Sequence, residues 1–368
     1  MGFLFQLVSI RESPITFIQN TNYSRRGKTI AYIRMVVIVN IVVVGFGNVG
    51  KKVVERLNDP LFSGLRIKAV FSSMGGVVLR EKSDYDYLFK LSTMNEPLSK
   101  HPRFNKISFM DYVQENSSGI AIFVIPPSYE TGEPNLSMYR KAITSGYHIV
   151  TADKTGLAFD YQGLKKLARQ YNVLLKYTAT VAAGTPVLSV AKSLKYRKVQ
   201  YIRAILNATS NYVLNLIESG KNWDEAISQA IKEGLAEPNP SIDIDGLDAA
   251  AKITILLNEM GINITMRDVD RKSLRIYSEE EIREAIKESL RLKQVAGYDS
   301  ANKEVFVKPI FVPLISPLAF TEGAYNTVEF KVEDESIIIH GPAGPAWRTA
   351  NVLLADVLEV LDEALGNE

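Results

Sequence analysis

Asp248 and Lys252 stand four residues apart in Gly246-Leu-Asp248-Ala-Ala-Ala-Lys252. On a helix that spacing sends both side chains off one face. Glu237 and Asp243 lie shortly before them, and these carboxylates can gather around one lysine. Such a cluster suits an amino-acid ligand, because the carboxylates take its ammonium group while the lysine handles charge and a proton. The same spacing would also arise from a capped helix carrying a solvent-exposed ion pair. A second lysine ends Thr151-Ala-Asp153-Lys154, directly after an apolar stretch. A residue at the carboxyl end of a parallel strand faces the ligand crevice of a doubly wound sheet.

These side chains need elements to hold them. Val36 to Val44 is β-branched and almost wholly apolar, as a parallel strand buried on both faces requires. It runs into Gly45-Phe-Gly47-Asn48-Val49-Gly50 and then a helical stretch from Lys51 to Leu57. Strand, glycine loop and helix in that order place backbone N–H groups and a helix N-terminus against a pyrophosphate. The next strand, Arg66 to Phe71, ends in Ser72-Ser73. An NAD site usually carries a carboxylate there for the ribose 2′-hydroxyl. Two serines and nearby Arg80 favour NADP over NAD.

Strands are expected at Ile120 to Ile125, Tyr147 to Val150 and Val173 to Tyr177, with a helix from Tyr161 to Tyr171. Past Thr180-Val181-Ala-Ala-Gly184 the pattern changes. A strand is expected at Val199 to Leu206, and Val295, Val305 to Phe311, Thr327 to Val332 and Ser336 to His340 read as strands of an antiparallel sheet. Helices are expected at Asp224 to Glu233 and from Leu247, the latter burying Leu247, Ala251, Ile255 and Leu256 as a stripe. Pro238 and Pro240 break the chain before it. Glu279 to Lys293 reads as a solvated charged helix. The fold class is α/β, an N-terminal Rossmann dinucleotide-binding domain plus an α+β substrate domain. The expected limits are an extension over 1–34, the Rossmann domain over 35–180 and the α+β domain over 181–340. A loop and amphipathic helix over 341–368 would return to the nucleotide domain.

Composition narrows the chemistry. The 368 residues contain no cysteine and only His101, His148 and His340, which rules out a thiol nucleophile and argues against a multi-histidine metal centre. Basic and acidic residues number 43 and 41 and are interspersed, so no nucleic-acid surface is expected. No stretch reads as a signal peptide or membrane span, and the cytoplasm is the expected setting.

Taken together, separated segments resemble one family, homoserine dehydrogenase. They are Gly45-x-Gly47-x-x-Gly50, Thr151 to Lys154, Leu206-Asn-Ala-Thr209-Ser-Asn-Tyr212, Glu237 through Asp248-x-x-x-Lys252, and Gly341-Pro to Thr349-Ala350. The resemblance runs from about Val36 to the C-terminus. It implies reduction of aspartate 4-semialdehyde to homoserine with NADPH or NADH, in threonine and methionine biosynthesis, by a homodimer formed through the second domain. It also implies residue roles. Lys252 and Lys154 would be catalytic with Asp248 holding them, and Glu237, Asp243 and Thr209 would bind substrate. Gly45, Gly47, Asn48, Val49, Gly50, Ser72, Ser73, Lys154 and Gly341 would bind cofactor. Backbone carbonyls at Val181 and Gly184 would hold a sodium or potassium ion.

The chain also departs from that family. Asp153 stands where asparagine is usual, Thr178 replaces a glutamate that helps hold the cation, and Leu235 replaces an aromatic residue. Ala182, Ala183 and Ala208 replace glycines. Two rival readings follow. One is a different NAD(P) enzyme acting on an amino or hydroxy acid. The other is an NADP(H)-binding paralogue that has lost catalysis and serves as a sensor.

Overall fold

The computed structural model describes residues 34–233, 235 and 241–366, with short strands at 15–20, 24–25 and 28–29. Arg34–Val44 is the central strand of the first sheet, and Ile41 to Val44 are at most 1 % exposed. A β-branched run with both faces covered has no other stable home. Across the sheet the order is Gly75–Val78, Leu65–Ser72, Arg34–Val44, Gly119–Phe123, Tyr147–Thr151 and Leu175–Lys176. All pairs are parallel except Gly75–Val78, which turns back on Leu65–Ser72. Successive strands thus leave Arg34–Val44 on opposite sides, and the crevice opens where they diverge. Within the segment expected to extend beyond the fold, Ile15–Asn20 pairs antiparallel with Arg34 to Val39.

The second sheet runs Asp270–Arg271, Glu304–Pro313, Leu290–Asp299, Val199–Ile205, Tyr325–Val332, Glu335–Pro342. Its long pairs are antiparallel. The helix Leu247–Glu259 packs between this sheet and the helices Thr155–Gln170 and Val187–Ser193. It is not the one-sided helix its pattern suggests. Ala249 to Ala251 and Ile253 to Leu257 are all buried, because small alanines let neighbours close in on the face opposite the leucines. One core runs from Val42 and Phe123 in the first sheet through Leu256 to Ala296 and Val328 in the second.

The charged segment also differs from expectation. A helix occupies only Glu279–Lys287, and the chain then enters the strand Leu290–Asp299. Lys293 is fully buried there, its ammonium donating to Asn211 Oδ1 at 2.7 Å and the Thr321 carbonyl at 2.6 Å. Strand pairing along ten residues outweighs the exposure expected of a lysine. The C-terminal helix Ala346–Leu365 packs on Asn48–Leu57. Ala350, Leu353, Leu354 and Val357 join the core beneath the first sheet. Among the described residues no helix is long and apolar enough to cross a membrane.

Candidate active site

Gly246, at φ 74°, caps the helix Leu247–Glu259 and puts Asp248 in its first turn. Lys252, one turn later, reaches back so that its Nζ lies 2.6 Å from Asp248 Oδ2 and donates to the Leu206 carbonyl at 2.6 Å. Lys154 approaches the other oxygen, with Nζ 3.4 Å from Oδ1. Side-chain exposures of 12 % for Asp248, 15 % for Lys252 and 20 % for Lys154 exclude a solvated surface pair. Burial alone would raise the Asp248 carboxyl, yet Lys252 and Lys154 together hold it well below the usual range. The site therefore keeps one fixed anion between two cations.

Asn207 completes the arrangement. Its Nδ2 donates to Asp243 Oδ1 at 2.6 Å and to Asp248 Oδ2 at 2.9 Å. Its Oδ1 accepts from Ser210 N and caps the helix Ala208–Glu218. One side chain thus starts a helix and bridges two buried carboxylates. Burial, and then the Asp248 charge, push the Asp243 carboxyl up to about 6, with Asn207 opposing. Gln294 donates to the carbonyls of Asp243 and Ile244 and fixes that turn. The Tyr129 hydroxyl donates to Asp248 Oδ1 at 3.2 Å, and burial followed by the Asp248 charge raises the phenol far above its ordinary value. Thr209 donates to the Leu235 carbonyl at 2.6 Å. Glu237 itself lies outside the described residues.

Lys154 is set by a buried turn. Asp153 accepts from Thr155 N, the Thr155 hydroxyl and the Tyr139 hydroxyl. Its own N–H donates to Thr151 Oγ1. These bonds fix the turn at the carboxyl end of Tyr147–Thr151, with Lys154 at the start of the helix Thr155–Gln170. The carboxylate at 153 is therefore fully used in holding the loop.

The glycine loop fits a dinucleotide. A Cβ at Gly45 would lie 2.3 Å from the Val124 carbonyl oxygen, and one at Gly50 2.1 Å from that of Gly45. At Gly47 it would meet nothing within 4 Å. The backbone is thus closed behind and open in front, at the N-terminus of Asn48–Leu57. Ser72 accepts from Met74 N at 3.3 Å and donates to the Gly75 carbonyl at 3.1 Å, shaping the hairpin after the second strand; Ser73 is exposed.

Val181 and Gly184 sit in the loop after Thr178, and among the described residues no backbone N–H bonds to either carbonyl. Thr178 N donates to Asp356 Oδ2 at 3.0 Å, and burial pushes that carboxyl up to about 6. Gly341 closes against this loop, since a Cβ there would fall 2.3 Å from Thr185 Oγ1. Thr185 donates to the Pro342 carbonyl and Arg348 to that of Ala343.

Of the residues expected from sequence, the structure gathers Lys252, Lys154, Asp248 and Asp243 into one cluster. Asn207 and Tyr129 join it without being candidates on sequence. Asn207 carried a signal, an N-cap residue immediately after a strand. Tyr129 had none, being 119 residues from its partner.

Known proteins share this architecture. The homoserine dehydrogenase family model matches residues 186–358. A homoserine dehydrogenase from Sulfurisphaera tokodaii is 32 % identical over 324 residues, covering 87 % of this chain and 98 % of that one. An NAD(+)-dependent homoserine dehydrogenase from Pseudomonas canavaninivorans is 35 % identical over 239 residues, 63 % of this chain and 68 % of its own. The structure of a hyperthermophilic archaeal homoserine dehydrogenase in complex with NADPH superimposes with a TM-score of 0.72 at 25 % identity, covering 88 % of this chain and 98 % of that one. The chain belongs to the homoserine dehydrogenase family.

Proposed function

We propose that this protein interconverts aspartate 4-semialdehyde and L-homoserine with NADPH or NADH. The observation that carries the reading is the Asp248 carboxylate shared by Lys252 and Lys154 at the mouth of the dinucleotide sheet. A bound nicotinamide supplies or accepts the hydride. The chain must stabilise the charge that develops on the substrate oxygen as it changes between carbonyl and alkoxide. Lys252 supplies a positive charge and a proton donor there, anchored by Asp248 and the Leu206 carbonyl. Lys154 is the second cation across the same carboxylate. Asp243, with Glu237, takes the substrate ammonium group, and Thr209 adds to the substrate site.

Gly45, Gly47, Asn48, Val49 and Gly50 would hold the pyrophosphate, with Ser72 and Ser73 at the adenosine ribose, Lys154 near the reacting end and Gly341 closing over it. The serines favour NADP; the family contains both an NAD(+)-dependent relative and an NADPH complex. The carbonyls of Val181 and Gly184, which accept from no backbone N–H among the described residues, support a monovalent cation in their loop. Exposed Tyr325 and Ile338 on the second sheet, with Phe320 nearby in sequence, support a homodimer. A cytoplasmic setting belongs to the same reading.

The test is homoserine oxidation by the purified protein, followed through cofactor absorbance with NADP and NAD in parallel, with and without added sodium or potassium. Turnover that is faster with NADP and responds to the cation is expected. NADPH binding without turnover would instead favour the sensor.

A further inference from the structure

The helices that present Lys154 and Lys252 lead away from the catalytic cluster to a cavity. Together with Leu175–Lys176, Val187–Ser193 and the C-terminal helix they enclose about 350 Å³. Its chemistry comes from Lys165, Arg169, Lys176, Lys192, Tyr177 and Glu259.

The charges in this cavity are unevenly matched. Lys176 takes both glutamates of the C-terminal helix, at 3.0 Å from Glu359 and 2.5 Å from Glu363. Glu259 accepts from the Tyr161 hydroxyl at 2.6 Å and from the Tyr177 hydroxyl. Among the described residues, Lys165, Arg169 and Lys192 form no ion pair at all. Lys165 instead donates to the Tyr177 hydroxyl at 3.2 Å and lies 5.1 Å from the centre of that ring. Burial lowers its proton affinity, and Lys192, Arg169 and Lys176 add to the effect while Glu259 opposes it. Cations crowded around a partly desolvated space repel one another, and a bound anion relieves that repulsion.

We propose that this cavity binds a small molecule carrying two or more negative charges, as phosphate or carboxylate groups, through Lys165, Arg169 and Lys192. The volume is at the small end for ligand sites, which suits a compact metabolite better than a nucleotide. Arg169 can grip an oxyanion through two parallel N–H bonds, while the lysines act as point charges. Aliphatic side chains such as Leu175 and Leu188 line the remaining wall, so the charged groups are the ones that discriminate among occupants.

Pyrophosphate and citrate, titrated calorimetrically into the full chain at constant ionic strength, separate the two anion chemistries. At least one should bind with a sub-millimolar dissociation constant. The combined variant Lys165→Gln, Arg169→Gln, Lys192→Gln should weaken it about tenfold or more, since each lost charged hydrogen bond matters. Lys192→Gln alone, on the exposed rim, should weaken it by about threefold and keeps the test open where the triple variant does not fold. Failure of both probes to bind overturns the proposal. So does binding undiminished in the variants, which would place the anion elsewhere, for instance at the glycine loop.

Discussion

Lys252 Nζ and Asp248 Oδ2 are 2.6 Å apart across one turn of a helix that is buried on nearly every side. Lys252 cannot swing away without leaving a buried carboxylate short of a partner, so its ammonium is fixed before substrate arrives. Such preorganisation is what makes a charge effective at a developing alkoxide. Lys252→Ala should lower kcat by about 10²-fold or more. Because Lys154 and Asn207 still hold Asp248, the variant should stay folded. Circular dichroism beside steady-state kinetics checks both halves, and a folded variant with near-normal kcat would remove Lys252 from the mechanism.

Asn207 should matter for folding as much as for the site. Asn207→Ala removes an N-cap, worth about 1 kcal/mol. It also takes hydrogen bonds from two buried carboxylates, worth roughly another 1–3 kcal/mol. Denaturant melts should show a loss in that combined range, whereas Asn207→Asp keeps the cap but adds a third carboxylate beside Asp243 and Asp248. The aspartate variant should therefore bind its amino-acid substrate only at higher pH. Equal stability of wild type and Asn207→Ala would contradict the bridging role.

Asp243 should give the reaction an acid limb. Its carboxyl is pushed up to about 6 by burial and by Asp248. It can attract an ammonium group only when ionised, so substrate binding should weaken as pH falls through about 6. The plot of log kcat/KM for homoserine should bend there toward a slope near one, with the change in KM and not in kcat. Asp243→Asn should lower kcat/KM at pH 8 and lose the bend. A bend that survives the substitution belongs to another group.

The chemistry of the site was more legible in the sequence than its packing. Gly45-x-Gly47-x-x-Gly50 after a β-branched run announces a strand, turn and helix because few backbones tolerate that spacing of glycines. Asp248 and Lys252 announce a shared helix face by period alone. Whether that face is wet or buried depends on which helices close over Ala249 to Ala251, and no local pattern carries that. Lys293 reads as solvated in the sequence for the same reason: its acceptors, Asn211 and Thr321, come from distant segments. Tyr129 reaches Asp248 only because two sheets share one core.

Ser72 tests the cofactor reading. Its hydroxyl both accepts from Met74 N and donates to the Gly75 carbonyl. An aspartate there can still accept the first bond, so the hairpin should survive Ser72→Asp. The new carboxylate would repel a ribose 2′-phosphate and accept from a 2′-hydroxyl. The ratio of kcat/KM for NADP to that for NAD should fall by about tenfold or more, corresponding to roughly 1.4 kcal/mol. An unchanged ratio in a folded variant would mean that the 2′-phosphate is read elsewhere.

Asp356 offers a change in stability that leaves the reacting atoms alone. Its folded-state carboxyl is raised by burial to about 6, against an ordinary value of 3.8. The folded protein thus holds a proton there that the unfolded chain releases earlier. Stability from this group falls as pH rises between those values, and the full cost stands above about 6. Asp356→Asn keeps an oxygen to accept from Thr178 N but cannot ionise. The variant should be more stable than wild type at pH 8, by an amount on the order of 1–3 kcal/mol. That difference should shrink to nothing near pH 4. Denaturant melts at several pH values read it directly, because other titrating groups cancel between the two proteins. A variant less stable than wild type at pH 8 would mean that the carboxylate stays ionised and is needed as a charge beside Thr178, at the entrance to the Val181–Gly184 loop.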